Sequence, residues 1–131
     1  MVSEVSQGRG AYRVDDDEND MAAFYRREFT VYNPPRSVGV SCDGRGEVVA
    51  LMLEQDALAA GDVELAEEIV AIAGLARAKY RMELRLHCLN WLVAEGGNPE
   101  RMDVFYRRVQ KLPTPEEYRE MEHEFAKRYL A

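Results

Sequence analysis

The sequence predicts an α+β fold: a mostly helical single domain of about four to five helices, with a small antiparallel β-hairpin or sheet in its N-terminal half. Three observations carry this. Glu28–Tyr32 is β-branched and aromatic, and a turn separates it from the alternating stretch Ser37–Ser41. Apolar residues then recur at spacings of three and four from residue 62 to residue 94. Finally, Thr114-Pro115-Glu116-Glu117 spells a helix start.

Taken in order, residues 1–14 mix Ser, Gly and Gln with few large apolar side chains and read as a loose arm, with Ala11–Val14 as a short strand. Residues 15–131 form the globular domain. The acidic run Asp15–Asp20 favours a helix start, with Asn19 or Asp20 as cap, and predicts a short helix over Met21–Arg27. Asn33-Pro34-Pro35-Arg36 joins two strands into a hairpin near residues 28–42, and Asp43-Gly44-Arg45-Gly46 is a second turn. Glu47–Ala60 reads as a helix ended by Gly61, although Val48–Leu53 alone fits a strand equally well.

Asp62 caps the long helix, whose buried stripe is predicted as Ala66, Ile69, Ala73, Ala76, Tyr80, Leu84, His87 and Trp91. Gly74 in its middle predicts a kink or a close helix crossing. Gly96-Gly97-Asn98-Pro99 ends it, and Pro99 opens a helix reaching about Lys111. In the last helix Tyr118, Met121, Phe125 and Tyr129 make a narrow apolar stripe, a candidate interface with a second subunit as well as with the parent domain.

The chain of 131 residues carries a net charge of -7, which disfavours indiscriminate binding to nucleic acid or anionic membrane. That charge is segregated. Residues 74–111 hold eight bases against four acids, whereas residues 1–20 hold six acids against two arginines. The start lacks a basic head and an apolar run, no stretch is long enough to cross a bilayer, and two cysteines cannot build a disulfide framework. These features predict a soluble cytoplasmic protein with reduced thiols, or a virion component if phage-encoded.

Catalytic and cofactor chemistry finds no coherent residue set. Asp15, Asp17 and Asn19 imitate a calcium loop, but Asp20 stands where glycine is needed and Arg26 where the bidentate glutamate belongs. Cys42, His87, Cys88 and His123 lack metal-ligand spacing, and neighbouring His87 and Cys88 diverge by about 100° on a helix. A thiol nucleophile would have to pair Cys42 with a histidine. No catalytic residue, metal site or cofactor is therefore assigned.

Two features suggest contact surfaces. The heptapeptide Met21–Arg27 returns as Met102–Arg108, both reading M-x-x-F-Y-R-R, with Phe24 and Phe105 expected in the core. Arg77, Arg81 and Arg85 form one ridge on the long helix, and with Arg107 and Arg108 they are the candidate anion- or partner-binding residues. The leading functional expectation is a non-enzymatic accessory or assembly protein working through protein contacts and self-association, such as a phage or viral complex component. One alternative is an RNA- or DNA-handling factor using those arginines. Another is an acidic decoy inhibitor imitating nucleic acid through Asp15–Asp20.

Overall fold

The computed structural model describes residues 21–59 and 61–129. The strand at Ala11–Val14, the acidic run and its caps lie outside the described residues. The elements run α1 (Met21–Tyr25), β1 (Glu28–Tyr32), β2 (Val38–Asp43), β3 (Val48–Leu53), α2 (Gln55–Leu58), α3 (Asp62–Ala94), α4 (Pro99–Arg108) and α5 (Pro115–Tyr129). This is the α+β architecture expected, with the sheet in the N-terminal half.

The predicted hairpin is present, and it is extended by a third strand. The sheet has order β1-β2-β3 and is antiparallel throughout, with Val31 opposite Val40 and Val40 opposite Leu51. The predicted helix over Glu47–Ala60 is thus replaced by β3 and the single turn α2. The reason lies in the Asp43–Gly46 turn. The Asp43 carboxylate accepts the backbone N–H groups of Arg45 (2.9 Å) and Glu47 (3.0 Å), and Gly46 takes φ 85°, so the chain reverses and pairs with β2. Those same bonds hold the Asp43 carboxyl below its ordinary pKa.

The β1–β2 loop is tied down by Asn33. Its side-chain oxygen accepts from the Ser37 and Val38 N–H groups at 2.8 and 3.1 Å, while its amide donates to Glu68 of α3 at 2.8 Å. The hairpin is thereby fixed to the long helix.

Helix α3 lies across β1 and β2. Phe24, Phe29, Val31, Val38, Val40 and Cys42 meet Ile72, Leu75, Ala76, Ala78 and Met82 in one core, which Tyr118 and Phe125 of α5 complete. A 33-residue helix is about 50 Å long, whereas strands of five or six residues span about 17–20 Å. The helix must therefore overhang the sheet. This corrects the predicted stripe: its middle is covered, but Ala66 and Trp91 near its ends are exposed. Gly74 lies within an unbroken helix with nothing within 4 Å of the position a Cβ would take, so no close crossing occurs there.

The start signals at Pro99 and Thr114 are realised, whereas Asp62 is the first residue of α3 and not its cap: Gly61 holds the cap position with no side-chain hydrogen bond, and Asp62 only adds negative charge to the first turn. Thr114 and Glu117 exchange hydrogen bonds, with the Thr114 N–H donating to the Glu117 carboxylate (2.9 Å) and the Glu117 N–H to the Thr114 hydroxyl (3.2 Å). The Asn98 side chain caps α4 ahead of Pro99. Helix α4 stops at Arg108, short of Lys111, where the chain turns with φ 58°.

Candidate functional site: an apolar cleft between α1, α3 and α4

The C-terminal overhang of α3 would stand bare in solvent were it not flanked by α1 and α4. Helix α1 is held by Phe24, whose ring packs 5.7 Å from Phe29, 6.3 Å from Tyr80 and 5.0 Å from His87. Its last turn also rests on Gly44, whose N–H donates to the Tyr25 carbonyl (3.2 Å); a Cβ there would strike the Phe24 backbone. Helix α4 is held by Arg85, which grips the Asp103 carboxylate with both arms of its fork at 2.7 and 2.8 Å. That pairing holds the Asp103 carboxyl below its usual pKa.

Between these helices lies a cleft of about 440 Å³ lined by Met21, His87, Cys88, Trp91, Leu92, Met102 and Tyr106. No acidic side chain, lysine or arginine lines it. The two methionines are the first residues of the two M-x-x-F-Y-R-R copies, so the echo converges on one cavity. Beyond that point the copies diverge. Phe24 is buried in the core, but Phe105 is 41% exposed, against the expectation that both would serve the core. Helix α4 has no fully buried residue and turns Met102 and Tyr106, rather than Phe105, toward α3.

The cleft's polar side chains are His87, Cys88 and Tyr106. Burial pushes the Cys88 thiol up from its ordinary pKa, an effect only partly offset by a hydrogen bond with the Tyr106 hydroxyl. Tyr106 is itself raised, first by burial and then by Cys88. The His87 Nε2 atom is buried and finds no hydrogen-bond partner among the described residues. Cys42 lies in the core, where its thiol donates to the Ala76 carbonyl (3.3 Å) and burial again raises its pKa. Both thiols are thus displaced away from the nucleophilic thiolate. Among the described residues no three His, Cys, Asp or Glu side chains gather as a metal site.

The predicted arginines fall in two groups. Arg77, Arg81 and Arg85 do share a ridge, but each reaches an internal acceptor: Arg77 the Gly46 carbonyl (3.1 Å), Arg81 the Gln110 and Lys111 carbonyls, and Arg85 the Asp103 carboxylate. Arg107 stands 3.6 Å from Glu117 with both side chains about half exposed, and Arg108 is exposed on the last turn of α4. Of the candidate interface stripe, Tyr118 and Phe125 are buried against the domain's own core, Tyr129 is half-buried, and Met121 is exposed. Burial and the nearby Glu122 carboxylate push the Tyr118 hydroxyl far above its ordinary pKa.

Sequence reasoning placed His87 and Trp91 in a core stripe and did not single out Leu92 or Met102. The usable signal was the repeated methionine of the echo, set aside in favour of its arginines.

No protein-family model matches the chain, and no solved structure matches it. Among curated proteins it is similar to the ESX-1 secretion-associated protein EspH of Mycobacterium tuberculosis, at 37% identity over 134 aligned positions that cover 89% of this chain and 72% of that protein. No helix among the described residues is long and apolar enough to cross a membrane. At that identity and coverage, the chain belongs to the family of the ESX-1 secretion-associated protein EspH.

Proposed function

We propose that this chain is a non-enzymatic accessory protein of a secretion pathway and that it acts by holding a protein partner in the cleft between α1, α3 and α4. The observation that carries the reading is the cleft itself. A wall of two methionines, a tryptophan, a leucine and a tyrosine suits apolar side chains of a partner, and methionine adapts to their shape without a fixed rotamer. Trp91, 44% exposed, supplies the large aromatic surface on which such contacts concentrate. The raised thiols speak for binding over nucleophilic catalysis. The internal acceptors of Arg77, Arg81 and Arg85 favour a protein partner over phosphate as the ligand. Kinship with a secretion-associated protein supports secretion as the process.

The test is genetic and biochemical together. Deleting the gene in its native host is expected to remove a subset of secreted proteins from the medium. Complementation with Met102→Glu, which puts a charge in the cleft wall, is expected to fail although the variant accumulates in folded form. An unchanged set of secreted proteins after deletion would contradict the reading, and full rescue by Met102→Glu would contradict the role of the cleft.

A further inference from the structure

The sheet has an unpartnered feature of its own, which shares no residue with the cleft. In β3 the residues Val48, Leu51 and Leu53 lie opposite Cys42, Val40 and Val38, and therefore share the helix-facing side of the sheet. All three are nevertheless exposed, because α3 lies over β1 and β2. The backbone is equally open. The Glu54 N–H donates to the Ser37 carbonyl, so the alternation of an antiparallel ladder directs the N–H and C=O groups of Leu51 and Leu53 away from β2. Among the described residues nothing bonds to them. Natural edge strands are usually blunted by charge, proline or a covering element, and Val48–Leu53 contains no charge and no proline.

Charge identifies the occupant. From residue 47 to residue 76 the chain carries seven acids (Glu47, Glu54, Asp56, Asp62, Glu64, Glu67 and Glu68) and no lysine or arginine. A second copy of the chain would bring the same acids against them. We infer that the free edge of β3 is a strand-addition site for an extended segment of another polypeptide, with apolar side chains at alternate positions and lysine or arginine between them. The segment's backbone pairs with Leu51 and Leu53, its apolar face covers Val48, Leu51 and Leu53 beside α3, and its cations meet Glu54 and Asp56. This site is independent of the cleft, and its test reads β3 alone.

The experiment uses the full chain and two fluorescein-labelled heptapeptides, one alternating lysine with valine and one alternating glutamate with valine. Fluorescence anisotropy is expected to show saturable binding of the lysine peptide at least tenfold tighter than the glutamate peptide. The bound lysine peptide is expected to slow hydrogen exchange at the Leu51 and Leu53 amides. Leu51→Pro removes one outward N–H at an edge position where proline is tolerated, and should weaken binding at least tenfold. Leu51→Lys leaves the backbone intact and should do the same by charge, which keeps the test valid if the proline variant fails to fold. Equal binding of both peptides would overturn the proposal. So would lysine-peptide binding that leaves the two amides unprotected, or sedimentation of the free protein as a dimer with those amides already protected.

Discussion

Phe29 and Val31 on β1, and Leu51 and Leu53 on β3, point to the same side of one sheet, at equal distance from the central strand. The first pair is 3% and 8% exposed and the second 48% and 42%. Hydrophobicity runs the wrong way to explain this, because β3 is apolar at every position whereas β1 carries Glu28, Thr30 and Tyr32. The difference lies in cover. Helix α3 crosses β1 and β2, the Arg27 guanidinium sits 5.0 Å above the Phe29 ring, and the Lys79 ammonium donates to the outward Thr30 carbonyl at 3.2 Å. Lys79 blocks the β1 edge at Thr30, whereas among the described residues nothing bonds to the outward groups of Leu51 and Leu53. Burial in this fold follows the path of one long helix more closely than it follows strand composition.

The largest expected effect compares those two edges directly. Phe29→Ala is expected to destabilise the fold by about 3–5 kcal/mol, and Leu51→Ala by less than about 1 kcal/mol, in urea unfolding. Equal losses would mean that β3 is covered after all. Next, Gly44→Ala forces a Cβ onto the Phe24 backbone, so α1 must shift; a loss of about 1–3 kcal/mol is expected, together with altered Trp91 fluorescence as Met21 leaves the cleft.

The cover supplied by α4 is the acid-sensitive one. Arg85 lowers the Asp103 pKa, so the stabilisation is complete above the ordinary carboxylate value and is lost as pH falls through the lowered folded value. The protection of α4 amides against hydrogen exchange, corrected for the intrinsic rate at each pH, should fall over that acid limb, and Asp103→Asn should abolish the dependence. Lys79→Met, which frees the Thr30 carbonyl and bares the β1 edge, is expected to cost about 1 kcal/mol and to make light scattering rise with protein concentration. The smallest effect has the opposite sign. Gly74→Ala adds a methyl group in open space on α3 and should stabilise by about 0.5–1 kcal/mol, seen as a raised Tm.

Legibility in the sequence followed the range of the interactions. The capping pair Thr114–Glu117, the Asn98–Pro99 start and the Asn33 turn depend on residues within five positions of one another, and each is realised. Val48–Leu53 was ambiguous because a short apolar run fits a buried helix or a strand; the Asp43 carboxylate bridging Arg45 and Glu47 decided for a hairpin, and pairing with β2 completed it. The cleft was less legible than the fold. It exists because a helix outruns its sheet and two short helices flank the overhang, a matter of lengths and packing that residue periodicity does not express. Met21 and Met102 are 81 positions apart in the chain and meet only there.

The most direct test of the difference between the edges is amide hydrogen exchange in the free protein, resolved at single residues along β3. An open β3 edge predicts protection of the Met52 amide, which pairs inward with Gly39, and rapid exchange of Leu51 and Leu53 on either side of it. Leu51 and Leu53 protected as strongly as Met52 in a monomeric sample would contradict an open edge.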